Sequence, residues 1–297
     1  MKFGSVTNPE EIDFTLPEDH PETANILSKS KAEGKPELFV GCAKWNRQDL
    51  KGFYPRGTKD ELAYYSQQFN SIELNATFYN SYGPEQMETW RNKTPEGFKF
   101  FPKVPQYISH LKRLNDVGAA TTEFCDSITH FEDKLGMAFL QLHNNFAPKN
   151  FERLERFLDS FPDDIPLGVE VRHTDWLNDP DVSLKFYGLL ERNNHTNIIT
   201  DTAGRRDLIH MRLTSPYAFV RYVGANHESD YTRLDDWLNR IELWINQGVK
   251  GIYFFVHQNI EKESPLLSTY FIEKLNKAFG YDLKTPNSGT QNSQLSF

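Results

Sequence analysis

Short runs of β-branched and aromatic residues alternate along this chain with longer stretches in which apolar residues recur at three- and four-residue steps. The short runs predict strands, and the longer stretches predict amphipathic helices that cover a sheet. The pattern predicts eight strands, in segments 38–45, 71–78, 98–104, 136–142, 167–173, 197–202, 218–224 and 251–257.

Helical patterns follow most of the predicted strands. They lie at 58–69, 84–93, 120–133, 150–161, 181–193, 233–248 and 265–280. Thr58 and Glu61 have the spacing of a capping box at the start of the first helix. The stretch 202–216 has no clean apolar face, so we expect a short irregular connection there.

The order of these elements predicts an α/β fold. Strict alternation implies parallel strands joined by right-handed crossovers, and a (β/α)8 barrel has about 250 residues. We therefore expect a single (β/α)8 TIM-type barrel over residues 37–280. The alternative is an open doubly wound sheet, but no G-x-G-x-x-G or P-loop motif opens a helix.

The two ends of the chain lack this regular pattern. Residues 1–36 are acidic and without a sustained period, which predicts an irregular N-terminal arm. Residues 281–297 are rich in Asn, Ser, Gln and Thr, which predicts a frayed, disordered tail.

The composition narrows the classes of function. The 297 residues carry a net charge of -8, which disfavours non-specific binding to nucleic acid or anionic lipid. No run of apolar residues approaches the length of a membrane span, which is about 18 residues. The first residues also lack the apolar region of a signal peptide. We therefore expect a cytoplasmic protein without membrane contact. The two cysteines, Cys42 and Cys125, predict packing roles rather than a disulfide framework.

Alternation along the predicted strands points several charged side chains into the barrel. Glu73 and Asn75 lie on the face of the second strand opposite its apolar residues, and Glu170 and Arg172 do the same in the fifth strand. Active sites of such barrels lie at the carboxyl ends of the strands. Polar residues also come late in other strands: Lys103, Gln141, Asp201, Arg221 and His257.

This ring of side chains is the candidate site. Buried charges must pair with each other or with a ligand, and three carboxylates facing three cations predict a nearly neutral ring. We expect a carboxylate to act as general base if burial raises its pKa, with Lys103 as acid or electrostatic stabiliser. The expected catalytic residues are Glu73, Lys103, Glu170 and Asp201. The expected substrate-binding residues are Trp45, Asn75, Tyr79, His110, Gln141, Arg172, Arg221 and His257.

Other readings of the ring stay open. No cofactor is predicted; a divalent metal is a weaker alternative, because the histidines and carboxylates form no H-E-x-x-H or H-x-H motif and Arg172 would repel a cation. A Schiff base on Lys103 is chemically possible, although neighbouring carboxylates would keep the amine charged. The ring is also compatible with a purely structural role in a non-catalytic scaffold.

Several sequence runs together resemble the YecE-like family, also called domain of unknown function 72. The runs are GCAKW, YYSQQFNSIELNATFY, WRNKTPEGFKFFPKV, LGMAFLQL, LGVEVRHTDWL and AFVRYVG, within about residues 38–260. The resemblance implies a TIM-type barrel of unestablished activity. Residues that match its motifs are Glu73, Asn75, Lys103, His110, Gln141 and 170–173.

The first hypothesis is an enzyme that acts on a small polar or anionic substrate, phosphorylated or sugar-like, by carboxylate acid–base chemistry. Hydrolase, isomerase and lyase chemistry all remain compatible with these residue types. The second hypothesis follows from the fold's likeness to apurinic-site endonucleases and is nucleic-acid binding or processing. It would use the aromatic residues at the expected barrel mouth together with basic loop residues, namely Lys44, Arg47, Lys51, Arg56, Lys112 and Arg113.

Overall fold

The computed structural model describes residues 4–29 and 34–287. In this part of the chain the strands are β1 (Glu37–Cys42), β2 (Ser71–Leu74), β3 (Lys99–Pro102), β4 (Ala138–Gln141), β5 (Leu167–Glu170), β6 (Thr196–Asn197), β7 (Ile199–Thr202), β8 (Tyr217–Gly224) and β9 (Gly251–Gln258). The α-helices are α1 (Pro21–Lys29), α2 (Glu61–Tyr65), α3 (Ala76–Tyr79), α4 (Pro84–Lys93), α5 (Gly118–Thr129), α6 (Phe151–Asp159), α7 (Asp175–Asn178), α8 (Pro180–Arg192), α9 (Ser229–Gln247) and α10 (Ser264–Phe279).

The strands pair in parallel, which confirms the predicted α/β fold. One sheet has the order β3-β2-β1-β9-β8-β7, and a second has the order β4-β5-β6. The ladders among the described residues therefore form two sheets, not the one closed ladder of an ideal barrel. Each of the eight predicted strand segments contains a strand, and the sixth is divided at Ile198 into β6 and β7.

A glycine permits close pairing of the first two strands. Gly41 of β1 is opposite Ser71 of β2, and a Cβ at Gly41 would lie 2.3 Å from the Ser71 carbonyl oxygen. Any other residue would push the strands apart, because Cβ atoms do not approach an oxygen that closely.

Apolar residues lie on both faces of the strands. The larger cluster, the outer cluster, lies between the strands and the helices and includes Ile72, Val169, Trp237 and Phe271. The smaller cluster, the inner cluster, contains residues from strands of both sheets. The faces of the two sheets that point away from the helices therefore meet in one interior. The buried members of the inner cluster are Phe101, Met137, Phe139, Ile198, Phe219, Tyr253 and Phe255.

The second predicted strand is too long, because β2 ends at Leu74 and α3 begins at Ala76; α7 is also absent from the predicted pattern. The predicted helices differ from the observed ones mainly at their ends. The first predicted helix shortens to α2, because the Asp60 side chain accepts the Ala63 N–H and caps the helix there. The Thr58 hydroxyl instead donates to the Pro55 carbonyl, so the predicted capping box is wrong. After β7 the chain forms only a 3-10 segment at Ala203–Leu208, in agreement with the expected irregular connection.

The predicted irregular arm contains the helix α1, which packs against α9. Leu27 is fully buried, and the Thr23 hydroxyl donates to the Met211 carbonyl at 2.8 Å. Asp19 accepts from the Trp244 indole at 2.9 Å and pairs with Arg240. The sequence pattern missed this helix because only a narrow side of α1 is buried, so no apolar period extends over several turns.

Part of the predicted tail also contacts the body of the protein. The Tyr281 hydroxyl donates to the Pro36 carbonyl at 2.8 Å, and Leu283 N–H donates to the Asn276 side chain at 3.0 Å. Residues 288–297 of the predicted tail, and residues 1–3 and 30–33 of the predicted arm, lie outside the described residues. No described helix is long and apolar enough to cross a membrane.

Candidate functional site

A buried ion-pair network joins three strands at their carboxyl ends. Arg221 of β8 donates from Nε and Nη2 to the two carboxylate oxygens of Glu73 on β2, both at 2.8 Å. Its Nη1 donates to Glu170 Oε2 on β5 at 2.6 Å. Arg172 donates from Nε to the other oxygen of Glu170 at 2.7 Å. Arg221 therefore links β8 to β2 within the six-stranded sheet through Glu73, and ties that sheet to the second one through Glu170.

Amide and imidazole side chains complete the bonding of these carboxylates. Asn75 donates to Glu73 Oε1 at 2.7 Å, and Gln141 donates to Glu170 Oε2 at 2.9 Å. His257 Nε2 lies 2.9 Å from Glu73 Oε2. The predicted ring thus exists as one hydrogen-bonded group, except for the residues treated separately below.

The pKa shifts contradict the expected role of the carboxylates. Burial alone would raise the pKa of Glu73, but Arg221 and His257 bring it well below the ordinary value. Burial opposes the same change at Glu170, where Arg172 and Arg221 lower the pKa. Both carboxylates are therefore ionised near neutral pH and engaged by cations, which makes them poor general bases.

Lys103 is the buried cation that this network leaves outside its ion pairs. Its Nζ donates to Gln141 Oε1 at 3.0 Å and lies 4.2 Å from the centre of the Phe78 ring. Among the described residues it has no carboxylate within 4.0 Å. Burial, with the nearby charges of Arg221 and Arg172, lowers the pKa of Lys103 to about 7. The expectation that carboxylates keep this amine fully charged is wrong.

His110 lies beside the same aromatic ring. It belongs to a π-helical turn at Tyr107–Leu111, and its imidazole lies 4.9 Å from Phe78 and 5.2 Å from His143 between ring centres. Burial, together with the charge of Lys103 and the His143 ring, lowers the pKa of His110 to about 4. The imidazole is therefore neutral near pH 7 and can contact a ligand beside the lysine through hydrogen bonds without adding charge to the site.

Two aromatic residues border a small cleft over Glu73. Trp45 and Tyr79 line this cleft together with Asn75, and its volume is about 140 Å³. Tyr79 is 62% exposed on α3, and Trp45 packs edge-on against Trp90. Trp45, Asn75 and Tyr79, all predicted to bind substrate, therefore lie together beside Glu73.

Asp201 does not belong to the site, which corrects its predicted catalytic role. Its carboxylate accepts from Arg233 at 2.9 Å and from the Trp237 indole at 2.8 Å, both on α9, and pairs with Arg206. Ile198 belongs to the inner cluster and Ile199 to the outer cluster, so Asp201 shares the helix-facing side of β7 with Ile199. Because Ile198 and Ile199 are both apolar, the sequence alone does not show which of them faces the helices, and so does not fix the direction of Asp201.

The ring has a different net charge from the predicted one, because Asp201 is not part of it. Two carboxylates, Glu73 and Glu170, now face three cations, Lys103, Arg172 and Arg221. A carboxylate just beyond the ring, Glu261, lies 3.7 Å from His257 Nδ1 and offsets the charge of that histidine when it is protonated. The ring is therefore positive when Lys103 is charged, not neutral, and this favours an anionic ligand.

Some contributors were missed by sequence reasoning. Glu261, four residues after His257, and the Glu73 charge raise the pKa of His257 against the effect of burial. Phe139 of the inner cluster lies beneath the network, 5.6 Å from the Arg221 guanidinium carbon. A histidine near the end of a strand, followed four residues later by a glutamate, is a usable sequence signal for the His257–Glu261 contact. No three His, Cys, Asp or Glu side chains in the described ranges form a group suited to a metal ion.

Comparison with known proteins gives a family but no activity. The sequence model described as "Protein of unknown function DUF72" matches residues 39–291. The UPF0759 protein YecE of Escherichia coli K12 is 26% identical over 263 residues, which cover 81% of this chain and 93% of that protein. The UPF0759 protein YunF of Bacillus subtilis is 28% identical over 152 residues, covering 48% of this chain and 53% of that protein.

Solved structures of DUF72 family proteins resemble this fold. A protein from Thermotoga maritima, 26% identical, has a TM-score of 0.67 over 81% of this chain and 99% of its own. A protein from Enterococcus faecalis, 18% identical, has a TM-score of 0.66 over 82% of this chain and 99% of its own.

Proposed function

The chain belongs to the DUF72 family, and on that premise we propose that it is an enzyme for a small anionic substrate, with Lys103 as its proton-transferring group. The substrate would bind at the carboxyl ends of the strands. The placement of Lys103 carries the proposal, because its amine is buried beside the mouth while Arg221 and Arg172 engage the carboxylates that would otherwise pair with it.

We also propose that the two sheets form one (β/α)8 barrel. β6 and β7 are separated by Ile198 alone; β6 pairs with β5, and β7 pairs with β8. Two backbone hydrogen bonds link the β3 and β4 segments, from Gly136 to Phe100 at 2.8 Å and from Val104 to Phe139 at 2.9 Å. The eight sequence segments are thus connected in cyclic order, which supports a barrel and a mouth at the carboxyl ends.

The chemistry follows from a lysine that titrates near neutral pH. With a pKa of about 7, Lys103 is present at pH 7 in both the neutral and the protonated form. Nζ can accept a proton from a substrate carbon or hydroxyl and return it to a neighbouring atom, as isomerisation or elimination requires. Glu73 and Glu170 would hold Arg221, and with it the strand ends, in place.

The exposed edge of the network supports an anionic substrate. The Arg172 and His257 side chains are 13% and 12% exposed, whereas those of Glu73, Glu170 and Arg221 are at most 6% exposed. Arg172 suits a carboxylate or phosphate, because it is the more exposed of the two arginines of the network and carries a positive charge. His110, His143 and Tyr79 would contact the rest of the substrate.

The nucleic-acid hypothesis has weaker support. Two residues of its basic set are paired with acids, Lys44 with Asp49 at 3.5 Å and Arg47 with Glu61 at 3.3 Å. The scaffold hypothesis explains the Glu73–Arg221–Glu170 pairs. It gives no reason for a buried lysine that pairs with no carboxylate of the described residues, an arrangement that costs stability.

Two measurements on one set of variants test the enzyme proposal. Calorimetric titration with sugar phosphates, 2-hydroxy acids and 2-oxo acids should identify a ligand whose affinity falls about tenfold or more in Arg172→Met. NMR in heavy water should then show exchange of a ligand C–H proton, and Lys103→Met should abolish it. Arg156→Met and Lys185→Met, at exposed positions on α6 and α8, are the matched controls.

Each part of the proposal has an outcome that would contradict it. Exchange that continues unchanged in Lys103→Met contradicts its role in proton transfer. Equal affinity in Arg172→Met and Arg156→Met contradicts the anion site. Failure of every anion in the panel to bind contradicts the proposed substrate class.

A further inference from the structure

A second cavity lies at the opposite, amino ends of the strands. It is lined by the first residues of β1, β3, β5 and β8 and has a volume of about 300 Å³. This matches the smaller of the known small-molecule sites, which span about 300–1,000 Å³. The mouth chemistry proposed above does not use this cavity, so a ligand here would be a separate function.

A glycine lets an aromatic ring pack closely at the edge of the cavity. Gly136, just before β4, lines the cavity, and a Cβ on it would lie 2.8 Å from Cζ of Phe101. The Phe101 ring therefore occupies the position that a larger residue would fill.

One wall is aromatic and flat. Tyr217 and Tyr253 stack with ring centres 5.7 Å apart and planes 14° apart, and Phe39 lies 5.9 Å from Tyr253. Stacked rings present planar faces and edges to a ligand, and aromatic faces also attract cations. The wall is therefore suited to a ligand with a flat apolar body.

A buried polar atom borders the same cavity. His195 is 4% exposed, and its Nε2 has no hydrogen-bond partner among the residues that the structure describes. Burial lowers the pKa of this histidine, so the imidazole is neutral near pH 7. Buried polar atoms in proteins almost always have a partner, and leaving one unmet costs stability. A polar group of a ligand could supply the hydrogen bond that His195 Nε2 lacks among the described residues.

The charged rim selects the sign of the ligand. Glu37 and Asp163 line the cavity with one cation, Lys99, whose amine donates to the Asp133 carbonyl. The Tyr253 hydroxyl donates to Glu37 Oε2 at 3.4 Å and so links the aromatic wall to the carboxylate. Two carboxylates against one lysine make the rim acidic.

We propose that this cavity binds a small aromatic amine in its protonated form, with the ring on the tyrosine wall and the N–H groups toward His195 and the rim carboxylates. The proposal combines three independent features of one cavity: flat aromatic faces, a buried unpaired nitrogen and an acidic rim. It does not rest on the function proposed for the mouth.

Three probes of similar shape and different charge test the proposal on the full chain: benzylamine, benzyl alcohol and benzoate. Calorimetry and methyl NMR should show saturable binding with benzylamine tightest and benzoate weakest, and shifts for the methyl groups of Met137 and Ile165, which line the cavity. Glu37→Gln keeps the shape and removes the charge, so it should reduce the preference for benzylamine over benzyl alcohol about tenfold. Glu85→Gln, exposed on α4, should leave that preference unchanged.

A second variant keeps the test decisive if one change harms folding. His195→Phe removes the ring nitrogens, so it should weaken benzylamine and benzyl alcohol but not toluene, which has no donor. Benzoate binding as tightly as benzylamine in the unaltered protein would overturn the proposal. So would the absence of saturable binding by all three probes, which would mean that only water contacts His195.

Discussion

Arg221→Met tests the claim that one arginine holds the two sheets together at the mouth. Methionine retains a long side chain and removes the hydrogen bonds to Glu73 and Glu170. Both carboxylates are 1% exposed or less, so water cannot replace the arginine without a rearrangement. The variant therefore leaves two buried carboxylates with fewer cations.

The magnitude follows from the remaining partners. Removing one partner of a buried ion pair costs about 3–5 kcal/mol. Glu170 keeps Arg172 and Glu73 keeps His257, so we expect a loss of about 3–4 kcal/mol in the free energy of unfolding at pH 7.5. With an unfolding entropy of about 2.1 cal/mol/K per residue over this chain, the melting temperature should fall by about 5–6 °C.

The pH dependence separates this mechanism from a simple packing defect. In the unaltered protein the lowered pKa values of Glu73 and Glu170 stabilise the fold above the ordinary carboxyl pKa of 4.5, and this contribution disappears as pH falls through the folded values. In Arg221→Met burial raises the two pKa values relative to the unaltered protein. The penalty should therefore be largest near pH 8 and shrink toward pH 5.

Urea denaturation at several pH values measures these changes, with Arg192→Met as control. Arg192 also contacts two carboxylates, Glu155 and Asp159, but its side chain is 49% exposed, so its loss should cost less than about 1 kcal/mol. Equal losses in the two variants, or a loss in Arg221→Met that does not change with pH, would refute the reasoning.

Three further changes test other parts of the account by urea denaturation. Lys103→Met should raise the free energy of unfolding by about 2–4 kcal/mol near pH 7, because the folded pKa of Lys103, about 7, lies below the ordinary 10.5. This gain should vanish as the pH rises toward 10.5. A gain that does not change with pH would contradict the lowered pKa. Asp201→Asn should lower the free energy of unfolding by about 3 kcal/mol, because it weakens the pairs with Arg206 and Arg233. The affinity for ligands of the Lys103 site should stay within twofold of that of the unaltered protein. Loss of that binding would show that Asp201 belongs to the site. Leu27→Ala should lose about 2–5 kcal/mol because α1 is packed on the body, and an unchanged stability would mean that the arm is loosely attached.

The sequence predicts the elements of this fold better than its chain ends. Strand segments rich in β-branched and aromatic residues are recognisable, because both apolar faces of a strand in this fold are covered. The helix α1 is not recognisable, since it buries little beyond Thr23 and Leu27. Its position depends on distant partners such as Trp244 and Arg240, which bind the preceding Asp19.

The candidate site shows the same division. Glu73, Glu170 and Arg221 could be predicted because each stands alone among apolar neighbours in its strand, so alternation fixes its direction. Asp201 could not, because its strand offers no clear apolar face after Ile199. The pKa values lay beyond the sequence altogether, because they depend on which cations reach which carboxylates in space.

The pKa of Lys103 tests the central claim most directly. NMR titration of the protein with ¹³C-labelled lysine side chains, assigned through Lys103→Arg, reports the charge of this amine alone. We expect a midpoint at about pH 7, far below the ordinary lysine pKa of 10.5. A midpoint close to 10.5 would show an ordinary charged lysine and contradict the proposed proton transfer.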